Sequence, residues 1–283
     1  MHSKKGMLVL SGYELKRLLA REALVSVNLF SGEEEAEYEG MHARVMGEAI
    51  DLAGVKRLHE DRVYVAENGE LKEASFFAGK VYALKAVEGH APTIEINGIR
   101  MHRVPTQKGV GPAPEEDAEN KIGFLGLKLG EKVLDTCCGL GYSAIAALHR
   151  SCTVTVLELD ENVLRLAELN PWSRPLFDAL KEGQAELVHG NCLEEIRKRG
   201  NAEFDAVVHD PPRFNVASDL YAQEFYGEVW RVLDEDGKLF HYTGKPMERH
   251  GGGIRKGVQS RLRKAGFRNI EWNEECLGFR ARK

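Results

Sequence analysis

The sequence predicts an α/β fold: a Rossmann-like, doubly wound sheet with an antiparallel C-terminal edge, preceded by a small, mainly β N-terminal domain. Three observations carry that reading. From about residue 121 onward, apolar runs of strand length alternate with helical stretches. A glycine-rich turn, CGLGY, closes the first of those strands. Before residue 105 the apolar runs are short and broken by Gly, Asn and charge. Strand–helix alternation builds parallel βαβ units with right-handed crossovers, whereas short strands with turn signals build antiparallel pairs.

In the first region MLVLS, ALVSVNLF, RVYVAENGEL, FFAGKVYALKAV and TIEINGIRMHR read as strands, ENGE and INGI as turns, and YELKRLLARE as a helix. This places an accessory domain at residues 1–105. VPTQKGVGPAPEEDAEN concentrates Pro, Gly and charge, so residues 106–120 read as a linker or lid, with Arg100, His102 and Arg103 beside it. Residues 121–283 form the catalytic candidate. KVLDTCC is a buried strand and YSAIAALHR a helix; TVTVLELD and ENVLRLAELN repeat the pair, with Asp160 at the N-cap position of the second helix. AELVHGN, CLEEIRKR, FDAVVHD, DLYAQEFYGEVWRVL and KLFHYTG continue the alternation. KGVQSRLRKAGF is a last helix before the terminal strands RNIEWNE and CLGFRARK.

Composition narrows the function. Hydrophobic content of 43% with 29% charged residues describes a folded chain rather than a disordered one. A formal net charge of -5 argues against a surface wrapped in nucleic acid throughout, but is compatible with a local basic patch. Five cysteines without CxxC spacing predict reduced thiols and a cytoplasmic location. Neither they nor the ten histidines show metal-ligand spacing, so no metal is expected. No run approaches the roughly 18 apolar residues of a membrane span, so no membrane partner is expected either. The oligomeric state stays open, a homodimer included.

Ligands of open α/β sheets sit at the carboxyl ends of the strands, and several motifs converge there. Gly139 and Gly141 allow a tight turn and close backbone approach, though a GxG alone also makes a plain turn. Glu158 ends the second strand about 20 residues beyond Gly139, the distance expected of an acid that binds a ribose diol. A solvated strand end is its plain alternative. FDAVVHDPPRF ends on Asp210 and then stiffens: Pro211 and Pro212 fix two φ angles and supply no N–H, so the ladder cannot continue. No P-loop Lys-Ser follows the glycines, which disfavours a nucleoside triphosphate.

The run of DxxxGxGY, ELDENV, GN and HDPP resembles the class I S-adenosylmethionine-dependent methyltransferases. The combination VLDTCCGLGY, LNPWS, HDPPRF and FHYTGKP is similar, more narrowly, to a group of predicted archaeal methyltransferases. The resemblance implies S-adenosyl-L-methionine as cofactor. Asp135 would hold its methionine part, Gly139, Gly141 and Tyr142 would make room for it, and Glu158 with Leu159 would take the ribose. Asn191 stands where an acid usually accepts from the adenine amine, with Cys192 beside it as a further contact or a packing residue. In amino-methylating members a D/N-P-P-aromatic motif holds the target nitrogen; here that implies Asp210, Pro211, Pro212 and Phe214, with Asp210 also among the cofactor contacts and Arg213 where the aromatic usually stands.

The acceptor is then an amino nitrogen, on RNA or on a small amine. A C5-pyrimidine route needs a thiolate near the fourth or fifth strand end, and KLFHYTGKP offers only His241, Tyr242 and Thr243. Those could line an acceptor pocket or form a satisfied strand end; Trp172 is likewise a stacking or a core residue. The chain also resembles spermidine synthases in TIEINGIRMHRVP and LYAQEFYGEVWRVLDEDG, which implies aminopropyl transfer from decarboxylated S-adenosylmethionine as an alternative. Arg213 would repel a polyamine at short range. A third alternative is a non-catalytic nucleoside-binding module. Lys245, Arg249, Arg255, Lys256, Arg261, Arg263, Lys264 and Arg268 face the single acid Glu248; glycines 251–253 predict a mobile loop, and RNA contact competes with a solvated helix face.

Overall fold

A computed structural model of the chain describes residues 7–55, 57–214, 217–244 and 251–283. The chain divides into two compact units, Met1–Glu116 with Asn162–Phe177, and Asp117–Glu161 with Asp178–Lys283.

The second unit is built on seven strands: β1 (Lys132–Asp135), β2 (Thr153–Glu158), β3 (Ala185–His189), β4 (Phe204–His209), β5 (Leu233–Tyr242), β6 (Arg268–Asn273) and β7 (Gly278–Arg282). Their order in the sheet is β3-β2-β1-β4-β5-β7-β6, with β1 to β5 parallel and β7 antiparallel to both β5 and β6. The order reverses at β1, which places the switch point between β1 and β4. β4 is buried almost throughout, as its run of apolar residues requires of a central parallel strand. Leu134, Val207, Phe225, Tyr226, Val229, Leu239, Leu262 and Phe279 form the core beside it.

From Pro114 onward the described α-helices in chain order are α1 (Pro114–Leu125), α2 (Tyr142–Leu148), α3 (Glu161–Leu169), α4 (Arg174–Glu182), α5 (Cys192–Arg197), α6 (Gln223–Val232) and α7 (Gly251–Ala265). Three differ from the sequence reading. The stretch read as linker or lid, 106–120, already enters α1 at Pro114, a residue suited to a first helical turn. α4 was not anticipated, and it lies on an amphipathic run, RPLFDALKE. The glycines at 251–253, expected as a mobile loop, open α7 instead. Lys245, Glu248 and Arg249 of the basic run lie outside the described residues.

The first unit is mainly β, as expected, with antiparallel sheets and the helix Gly12–Leu19. ALVSVNLF does not continue as one strand: it pairs over Leu24–Val27 and then turns left-handed at Asn28, Leu29 and Phe30, with φ of 54°, 58° and 66°. Three such residues in succession are unfavourable for L-amino acids. Buried side chains hold them: Asn28 Oδ1 accepts from Val9 N at 3.1 Å, and Glu14 Oε1 accepts from Phe30 N at 2.9 Å. Burial pushes the Glu14 carboxyl up to about 7. Trp172, from the segment Asn162–Phe177, donates its indole N–H to the Leu29 carbonyl at 2.7 Å, which gives it a structural role.

The C-terminal edge has little room to spare. Gly278 lies opposite Tyr242, and a Cβ there would stand 2.6 Å from Phe240 Cζ and 2.8 Å from the His241 carbonyl oxygen. Gly278→Ala is therefore expected to destabilise the protein by about 1–3 kcal/mol. Urea unfolding would read this as a lower midpoint at an unchanged m-value.

Candidate functional site

Register brings three carboxyls to one rim. Asp135 ends β1 and pairs with Val156 of β2 on one side and Val208 of β4 on the other. Glu158 and Asp210 each lie two residues past those partners, at the carboxyl ends of the strands flanking β1. The glycine turn follows directly, with Gly139 and Gly141 at φ of 57° and 82°, the left-handed region that a Cβ disfavours.

Asp135 is fully buried; its Oδ2 accepts from Ser143 Oγ at 2.5 Å and its Oδ1 from Cys137 N at 3.1 Å. Burial pushes its carboxyl up to about 6, the neighbouring Asp210 and Glu158 adding to that against the two hydrogen bonds. Glu158 Oε2 accepts from Gly139 N at 2.9 Å and Oε1 from Asp160 N at 3.0 Å, so this acid braces the glycine turn. Burial also raises it. Each carboxylate oxygen carries a further lone pair, which leaves the pair able to accept from a diol. Leu159, beside it, is exposed, and Tyr142 opens α2 as a buried residue.

Asn191 and Cys192 lie after β3. Asn191 Oδ1 caps α5 by accepting from Leu193 N at 2.9 Å, so the amide oxygen expected to meet an adenine amine already serves a helix terminus. Cys192 is buried, and burial pushes its thiol up to about 12.

Asp210 emerges just past the buried end of β4. Pro211 is buried; Pro212 is exposed and its carbonyl accepts from Tyr221 OH at 3.1 Å. Phe214 is 41% exposed and meets the Tyr221 ring edge-on, centroids 5.4 Å apart.

Sequence reasoning passed over Lys121. Its ammonium on α1 lies 2.6 Å from Asp210 Oδ2 and 2.7 Å from Asp117 Oδ2, with the Tyr242 ring centroid 4.3 Å away. Burial works to lower it, but the Asp210 and Asp117 carboxylates outweigh that and hold it well above the usual range. The i,i+4 spacing of Asp117 and Lys121 was a helical signal, hidden in a stretch rich in Pro and Gly.

Under the rim, the two histidines are structural. His209 Nε2 donates to the Leu220 carbonyl at 3.0 Å, so its Nδ1 accepts from the Thr136 hydroxyl at 2.7 Å. Burial pulls its pKa down to about 3. His241 Nδ1 donates to the Tyr242 carbonyl at 2.8 Å and Nε2 accepts from Tyr226 OH at 2.7 Å. Both rings are neutral and fully buried, which makes His241 the satisfied strand-end residue and not a pocket wall.

Residues 122–251 match the family described as methyltransferase small domain. The chain is 46% identical to the uncharacterised protein MJ1233 of Methanocaldococcus jannaschii over 225 residues, covering 79% of this chain and 74% of that protein. It is 30% identical over 95 residues to MJ1649 of the same organism, described as a putative ribosomal RNA large subunit methyltransferase; that match covers 33% of this chain and 24% of the relative. The spermidine synthase of Thermotoga maritima shares the fold, with a TM-score of 0.52 and 17% identity over 74% of this chain and 70% of that one. Among the described residues no helix is long and apolar enough to cross a membrane.

The raised Asp135 carboxyl has a measurable consequence. Between its ordinary 3.8 and about 6 the folded state binds more protons than the unfolded one, so stability falls as pH rises through that window. Asp135→Asn lacks this penalty. Relative to wild type it should gain about 1–3 kcal/mol between pH 4 and pH 7, read by urea unfolding at each pH.

Proposed function

We propose a reaction for this chain within the family to which it belongs, the class I S-adenosylmethionine-dependent methyltransferases, in the archaeal group it shares with MJ1233. It methylates an amino nitrogen held at Asp210. Residues 121–283 are the catalytic domain, 1–105 an accessory domain, and 106–120 join them.

The observation that carries this is the shared rim of Asp135, Glu158 and Asp210 around a left-handed glycine turn. Its donor set fits the cofactor: acceptor-only carboxylates suit a cationic sulfonium with a ribose diol and a free ammonium. Asp135 faces the methionine part; Gly139, Gly141 and Tyr142 line the close approach; Glu158 with Leu159 takes the ribose; Asn191 and Cys192 flank the adenine. When bound, S-adenosylmethionine supplies a methyl group on a sulfur leaving group.

The chain's own part is positioning. Asp210 accepts an N–H of the neutral acceptor and turns the nitrogen lone pair in line with the methyl. With the methyl taken from the bound donor, the acceptor nitrogen would carry a surplus proton, and the Asp210 carboxylate, already hydrogen-bonded to it, would be the group to receive that proton. Pro211 and Pro212 hold the strand end still, and Phe214 offers a ring for a planar acceptor. RNA is the acceptor class we favour, supported by the description of MJ1649 and by α7, which carries Arg255, Lys256, Arg261, Arg263 and Lys264 and no acid.

Two other readings fare less well. An aminopropyltransferase recruits a polycation, and here the Lys121 ammonium already lies 2.6 Å from Asp210 Oδ2. A cysteine-mediated attack needs a thiolate, and burial raises the Cys137 and Cys138 thiols well above their usual range.

Labelled methyl donor incubated with RNA, protein and small-molecule fractions should mark RNA. Asp210→Ala should cut transfer at least about 100-fold while donor affinity stays within a few-fold. Label in the small-molecule fraction alone would replace RNA by a small amine. Tighter calorimetric binding of decarboxylated S-adenosylmethionine than of S-adenosylmethionine would defeat methyl transfer altogether.

A further inference from the structure

Lys121 and Lys238 are the buried lysines among the described residues, and Lys121 is 5% exposed. Taking an ammonium out of water is costly unless it is paired and its donors are satisfied. Its partners come from two different places. Asp117 is on the same helix and itself buried, 3% exposed; Asp210 is at the end of β4 with a side chain 27% exposed, the member of the trio that reaches the rim.

A structural ion pair would be complete with Asp117 alone. The second contact, at 2.6 Å, ties α1 to the one carboxylate that the proposed reaction uses. The backbone on the far side of Asp210 is already stiffened by Pro211 and Pro212, so the side-chain torsions are the freedom left to remove. Lys121 removes it. The Tyr242 ring, 4.3 Å from Nζ, closes a third side and keeps the ammonium from swinging away.

We infer that Lys121 is a positioning residue for methyl transfer: anchored by Asp117, it pins Asp210 Oδ2 and keeps that carboxylate ionised and aimed at the acceptor nitrogen. The inference rests on the reading of the site given above and adds to it a buried cation whose contact favours the charged form of Asp210. Asp135, Cys137 and Tyr221 are each raised in part by that negative charge.

The test separates this role from a structural one. Lys121→Met alone strands two carboxylates in a buried place and invites misfolding, so the working variant is Asp117→Asn with Lys121→Met, which removes both buried charges. In carbon-13 aspartate-labelled protein, with the Asp210 resonance identified through Asp210→Asn, the Asp210 midpoint should rise by at least about one unit in the double variant. In Asp117→Asn alone, where Lys121 remains and a neighbouring negative charge is gone, it should stay at or below the wild-type value. The second readout is the affinity of sinefungin, which carries an amine where the donor carries its methyl, relative to S-adenosylhomocysteine. The preference for sinefungin should fall off as pH drops through the Asp210 midpoint, so in the double variant the fall should come at least about one pH unit higher than in wild type.

An unmoved Asp210 midpoint in the folded double variant would reduce Lys121 to a structural ion pair. A moved midpoint with an unmoved sinefungin preference would also overturn the inference, because the charge would not reach the transfer point. Wild-type protein that binds neither nucleoside would instead overturn the reading of the site itself, whatever the resonance does.

Discussion

Parallel register places three carboxyls at one rim, and much of the local structure answers the repulsion that results. Like charges this close raise one another's affinity for protons, and burial compounds the effect. The sheet meets it with two devices. Asp135 and Glu158 are fed by N–H donors from the turn that follows β1 and by the Ser143 hydroxyl at the start of α2. Asp210, on the other flank, receives a full positive charge from Lys121. The same carboxylates that strain the rim are what give it an affinity for a cation.

Rigidity below the rim follows from a different choice. The space between β4, β5 and α6 is filled by His209, His241, Phe225, Tyr221 and Tyr226, rings packed edge-on or tilted at centroid separations between 4.6 and 6.4 Å. Polar rings are costly to bury unless every N–H and O–H finds a partner. Here each imidazole donates to a backbone carbonyl and accepts from a hydroxyl, which fixes its tautomer and keeps it uncharged. Tyr221 in turn donates to the Pro212 carbonyl, so the stiff turn after Asp210 rests on this aromatic floor.

Much of this was legible in the residues. Strand ends at Asp135, Glu158 and Asp210 are marked by apolar runs that stop at an acid, and the left-handed turn by Gly139 and Gly141. What escaped was whatever depended on a long-range partner. The segment 106–120 looks like a linker by composition, yet α1 starts at Pro114 because its Lys121 finds two carboxylates and its Ile122 and Leu125 find a core. ALVSVNLF looks like one strand, but buried Glu14 and Asn28 hold Asn28–Phe30 in a conformation that no local propensity favours.

The residues by themselves determined the class of fold and marked the strand ends, because apolar periodicity and strand-end motifs are local and survive without knowledge of any partner; the cofactor came with the family resemblance those motifs carry. Tertiary structure alone decided which side chains share a charge. That Lys121 meets Asp210 across 89 positions, and that His241 is satisfied beneath the rim, depends on which strand lies beside which, and Coulomb and desolvation energies are set by that separation and not by order along the chain.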